Sequence, residues 1–155
     1  EIHGPFGKGF FSNRPTFNKV LDMIHEDGAF KNFDVVVKAD PDLVLVPKRL
    51  RARLAIRRPA EEPWYFANCN SSQIQYVTMQ GPLEVFSRGM VERFNKTARD
   101  RDCLMTKAEH VMAGEDMFLD RCMHWIGGHR LMDLNLVSDG FCDWPMDESC
   151  ANHTL

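Results

Sequence analysis

One stretch constrains this chain more than any other: Phe33-Asp34-Val35-Val36-Val37-Lys38-Ala39-Asp40-Pro41-Asp42. Three consecutive valines are stiff at χ1 and favour a buried strand over a helix. The strand cannot run far past Ala39, because Pro41 has no N–H to give to a ladder. Two carboxylates therefore stand just beyond the carboxyl end of an apolar strand. Ligands in open α/β sheets bind at such strand ends. Hard oxygens there suit Mg²⁺ or Mn²⁺, which need few protein groups when substrate phosphates complete their shell. The same residues also suit a polar turn, since Asp and Pro are common turn formers. An EF-hand loop does not fit, because no glycine occupies its sixth position and the ligand series stops.

Around this stretch the apolar pattern switches between helical and strand periods. Pro15 stands where helices begin, and Phe17, Val20, Leu21 and Ile24 follow at helical spacing up to Gly28. Pro47 opens a basic helix through Leu54. Residues 64–67 and 75–79 read as strands, the second closed by Gly81-Pro82. Residues 83–94 read as a helix or a strand-to-helix turn, with Val85, Phe86, Met90 and Phe94 inward. Residues 96–101 read as a charged linker. After Gly114, a helix carries Met117, Phe118, Cys122, Met123 and Trp125 inward and stops at Gly127-Gly128. Residues 131–137 read as a strand, and 1–13 and the tail from Ser138 as loop. Alternation of this kind predicts an α/β layered fold. The 155 residues match one domain. Only one helix and a loop precede the valine strand, whereas a nucleotide-binding sheet has more βα units ahead of it. The expectation is a single domain, 1–155, incomplete on its N-terminal side.

Charge and cysteine usage narrow the class. A net charge of −3 implies no general attraction to nucleic acid or acidic membranes. The basic run from Lys48 to Arg53, with Arg57-Arg58, reads as a solvated helix face, with phosphate contacts as the side option. No apolar run approaches the ~20 residues of a membrane helix. Five cysteines, none in a Cys-x-x-Cys pair, fit neither a zinc site nor a thioredoxin-like motif. They suit buried thiols or a few disulfides. Sequons at Asn70, Asn95 and Asn152 lean toward a secretory route.

Two further motifs carry possible chemistry. Glu115-Asp116 opens a helix, where the dipole favours acids, yet either acid could serve as a general base. Gly81-Pro82-Leu83-Glu84-Val85-Phe86-Ser87-Arg88 could be a plain turn, or a place where a sugar approaches a backbone without Cβ. In order and spacing these motifs, with Asp40-Pro41-Asp42 after Lys38, resemble the fringe and β1,3-galactosyltransferase-like glycosyltransferases. The resemblance spans residues 33–142. It implies a GT-A fold, a Rossmann-like nucleotide-diphospho-sugar transferase sheet with flanking helices. It implies Asp40 and Asp42 as ligands of Mn²⁺ (or Mg²⁺) and, through it, of a UDP-sugar's diphosphate. His153 is the implied third ligand by position, with His129 second. Lys38, Gly81 and Pro82 would bind substrate. Asp116 would be the base of an inverting transfer to a glycan or glycoprotein hydroxyl, with Glu115 as fallback. Trp64 and Trp144 are candidates to stack on sugars, though buried packing also suits Trp64. The family often has three acids in its metal motif, and Pro41 takes the middle place here. The implied setting is the Golgi lumen. Two other readings stand beside it: an inactive GT-A-like module that binds glycan or protein, and an unrelated α/β domain whose acids only cap and turn.

Overall fold

The valine run does form a strand, β1 (Val35–Ala39), but a half-buried one at the edge of its sheet. The computed structural model describes residues 14–55, 58–71, 76–97, 114–137 and 142. Before β1 come helix α1 (Arg14–Asp27) and a 3-10 turn at Ala29–Asn32. Gly28 separates them at φ +73°, and its N–H still reaches Ile24 O. That left-handed geometry is what glycine admits most cheaply at a helix end.

After β1 come α2 (Pro47–Leu54), β2 (Trp64–Ala67), β3 (Cys69–Ser71), β4 (Tyr76–Thr78) and β5 (Leu83–Ser87). Then follow α3 (Arg88–Thr97), α4 (Glu115–Trp125) and β6 (His129–Met132). The molecule is mixed α/β. Among the described residues its main sheet has four strands in the order β1-β5-β2-β6, and β3 with β4 forms a separate ribbon. β5 runs antiparallel to both neighbours, and β2 runs parallel to β6. Three of the four strands thus point the same way, so Asp40, Asn68 and Asp133 all lie just past carboxyl ends on one side of the sheet.

Both sheet faces are covered. Val36, Tyr65 and Phe86 pack against α1, α3 and α4 through Leu21, Met90, Phe94, Phe118 and Met123. The alternate residues Val35, Val37, Trp64, Phe66 and Val85 pack against Leu50 and Leu54 of α2. Period-2 alternation along each strand produces this division. The charged face of α2 is solvated, with Lys48, Arg49 and Arg51 exposed, while Arg53 pairs with Asp133 at 2.8 Å.

Residues 83–94 settle as strand then helix. Ser87 ends β5 and caps α3, its Oγ accepting Met90 N–H at 3.0 Å, as an N-cap serine does. α3 continues through Lys96 to Thr97, where a linker is expected, and 98–101 lie outside the described residues. The last strand is shifted from 131–137 to His129–Met132. Asp133 stops it by accepting Asn135 N–H on its own side chain, the local bond that favours Asp in turns. At the end of α4, Gly127 takes φ +84°, Gly127 N–H reaches His124 O and Gly128 N–H reaches Met123 O, a Schellman ending. β3 was not foreseen; its Cys-Asn-Ser sequence carries no apolar alternation. Residues 1–13 and, apart from Cys142, the tail from Ser138 (including Trp144 and His153) lie outside the described residues. Among the described residues no helix is long and apolar enough to cross a membrane.

Candidate functional site

Lys38 and Glu84 face each other across the β1–β5 ladder, on the α4 side of the sheet. Burying that pair sets the rest of the site. Lys38 Nζ lies 3.2 Å from Glu84 Oε1, 2.9 Å from Glu115 Oε1 and 3.1 Å from Asp40 Oδ1. It also donates to Gly81 O at 3.1 Å and sits 4.6 Å above the Phe17 ring. One ammonium has three donors, so it is saturated here without water. Burial alone would lower its proton affinity, but the surrounding carboxylates outweigh that and hold Lys38 firmly charged.

The acids grade from inside to outside. Glu84 is 1% exposed and Asp40 36% exposed at the side chain. Burial pushes the Glu84 carboxyl up to about 8; Lys38 opposes the rise, while Glu115 and Asp116 add to it. Asp116 is raised as well, first by burial. Its Oδ2 accepts Gly81 N–H at 3.0 Å and its Oδ1 accepts Met117 N–H at 2.7 Å. Those two bonds favour the carboxylate but do not cancel its desolvation. Asp116 is therefore both held in place by backbone donors and made more basic than a surface aspartate.

Local sequence explains the convergence. Gly114 N-caps α4, which leaves Glu115 and Asp116 in the first turn at its dipole-positive end. Pro82 O accepts Asp40 N–H at 3.1 Å, and Asp40 O accepts Leu43 N–H at 3.1 Å, which closes the Asp-Pro-Asp turn against the Gly-Pro turn. A Cβ added to Gly81 would come no nearer than 3.4 Å to Asp116, so packing within the chain does not itself require glycine there.

Of the residues singled out in the sequence, Lys38, Asp40, Gly81, Pro82, Glu115 and Asp116 meet at this one place. Asp42 is exposed and makes no hydrogen bond or ion pair among the described residues. His153 lies outside the described residues. His129 pairs with Trp64 at the opposite end of the sheet, away from Asp40. Trp64 is 2% exposed, with its indole N–H bonded to Pro59 O, so it packs in the core and has no face free for a sugar. Among the described residues no three His, Cys, Asp or Glu side chains form a group that could hold a metal ion. Of the two expected metal ligands, Asp40 is ion-paired with Lys38 and Asp42 is exposed.

Glu84 is the residue that sequence reasoning passed over. Its signal was present: one acid inside the run Leu-Glu-Val-Phe of a strand flanked on both sides. A second buried ionic group lies one turn along α4 from Asp116. Asp120, fully buried, takes Arg130 at 2.6 Å, while Tyr65 Oη donates to Asp120 O at 2.9 Å. Burial pushes the Asp120 carboxyl up, and Arg130 and the hydrogen bonds oppose it. This group ties α4 to β2 and β6. Comparison with protein-family models and with curated proteins finds no match for the sequence, so the functional reading rests on geometry.

Proposed function

We propose that the chain carries the metal and acceptor side of a metal-dependent glycosyltransferase of GT-A type. It moves a sugar from a UDP-sugar to an acceptor hydroxyl with inversion. The observation that supports this best is the meeting of three separate motifs. The Asp40 turn, the Gly81 turn and the first turn of α4 are joined through Lys38 and Asp116 at strand carboxyl ends. Asp116 takes the proton from the attacking hydroxyl, and burial raises its proton affinity above that of a surface aspartate. The new bond forms at the anomeric carbon as the bond to the diphosphate breaks, and the UDP leaves with that electron pair. Asp40 and Asp42 would hold Mn²⁺ or Mg²⁺, which when bound would neutralise charge on the leaving diphosphate. Glu115 fixes Lys38, and Lys38 fixes Asp40 and the Gly81 carbonyl. The proposed setting is a secretory lumen, and the Cys69–Cys142 disulfide suits an oxidising compartment.

One observation favours a second reading, a GT-A-like module without turnover. Lys38 already gives Asp40 a cation, 3.1 Å away. Titrating UDP into the protein with and without Mn²⁺, by calorimetry, separates the two. Saturable binding that requires Mn²⁺, lost in Asp42→Asn with the fold intact, is the expected result. Asp116→Asn should then retain UDP binding and lose transfer. Equal binding by Asp42→Asn would remove the metal assignment, and normal transfer by Asp116→Asn would move the base elsewhere.

A further inference from the structure

The turn that carries Gly81 and Pro82 is held from behind by one side chain. Asn68 directly follows β2 and is 1% exposed. Its Oδ1 accepts Gln80 N–H at 2.6 Å, and its Nδ2 donates to Leu83 O at 2.7 Å and to Gln80 O at 3.3 Å. The amide therefore closes on both ends of residues 80–83. The other side of that turn meets the site through Gly81 N–H, Gly81 O and Pro82 O.

We propose that Asn68 is a positioning residue for this site, holding the 80–83 turn so that Gly81 N–H orients the Asp116 carboxylate. Only an amide offers an acceptor for Gln80 and a donor for Leu83 at this length. A carboxylate of the same shape would face Leu83 O with no proton to give. Asn68 is itself fixed from two sides. Its N–H donates to Thr78 O at 3.0 Å, and the next residue, Cys69, is bonded to Cys142. The kinetic consequence rests on the proposed role of Asp116 as base; the geometric one does not.

Two readouts test it together. In Asn68→Ala, amide exchange at Gln80 and Gly81 should quicken about tenfold relative to Val85 and Phe86 of β5. In a transfer assay kcat should fall about 10–100-fold, with KM for the UDP-sugar within about threefold. Ser87→Ala is the control. It loses three hydrogen bonds of similar kind, to Trp64, Met90 and Glu62, at the opposite end of the sheet. That variant should lose stability and keep kcat. If Asn68→Ala does not fold, Asn68→Asp keeps the shape and should show the same local exchange. Uniform quickening across the sheet, or equal loss of kcat in Ser87→Ala, would overturn the proposal. Absence of any transfer by the unmodified protein would instead count against the proposed function, and the exchange result would still decide the role of Asn68.

Discussion

Glu84 is placed where water cannot reach it, on a strand with neighbours on both sides. Its carboxyl is held up at about 8 by burial, against the pull of Lys38. An acid raised in the folded state contributes stability that is fully present below its unfolded value, near 4.5, and is lost as pH rises through about 8. Lys38 stays charged across that window, because its own proton affinity is raised. Glu84→Gln should therefore flatten stability between pH 5 and pH 9. At pH 9 it should exceed the parent by on the order of 2 kcal/mol. Urea denaturation at both pH values checks this, and an unchanged slope would show that another group titrates there. Nothing in the sequence ranks Glu84 above the chain's other acids except its apolar neighbours. Its weight comes from β2 lying beyond β5, a long-range fact.

At the scale of elements, α3 depends on a close approach that glycine alone permits. A Cβ at Gly89 would stand 2.1 Å from Glu61 O and 2.5 Å from Glu61 C. Gly89 N–H also donates to Ala60 O at 2.8 Å, so two backbones meet there. Alanine would gain about 1 kcal/mol of helix propensity. The clash with fixed backbone should cost about 3 kcal/mol, and the clash wins. Gly89→Ala should lower Tm by roughly 6 °C, read by circular dichroism. A variant as stable as the parent would mean that 61–62 can shift at little cost. Elements were legible where period and punctuation agreed. Pro47 and Leu54 bound α2, Trp64 and Ala67 bound β2, and Gly114 precedes α4, each as the sequence predicts. They were not legible where polar residues pair. β3 exists through its ladder to β4, and β6 ends at Asp133 through a side-chain bond. The valine strand was predicted as buried, but it lies at an edge among the described residues. Composition fixes a strand's preference, while its neighbours fix its depth.

At the scale of the whole molecule, the longest covalent tie among the described residues is Cys69–Cys142, 73 residues apart, with its Cα atoms 5.3 Å apart. It binds the ribbon beside Asn68 to the chain beyond β6. Closing a loop of that length restricts the unfolded chain enough to contribute about 4 kcal/mol. Cys142→Ser should lower stability by about 2–5 kcal/mol in urea under non-reducing conditions. A smaller loss would mean that the unfolded chain is already compact at that point. Five cysteines without close spacing gave no pairing in the sequence, because pairing depends on which strand ends meet. The site shows the same division. Asp40, Glu115 and Asp116 could be named from local pattern, yet their meeting required β1, β5 and α4 to come together.

That Lys38 stands directly across from Glu84 has a consequence for how the chain finds its fold. A pairing of β1 with β5 one residue out of step would turn Lys38 to the other face of the sheet. Glu84 would then be sealed under α4 with no cation beside it, and Lys38 would be driven among the leucines of α2. Both faults fall on the same mistake: a buried carboxyl loses its partner, and a lysine is desolvated among apolar side chains. The pair therefore favours the observed register of β1 on β5 over a neighbour one residue out of step.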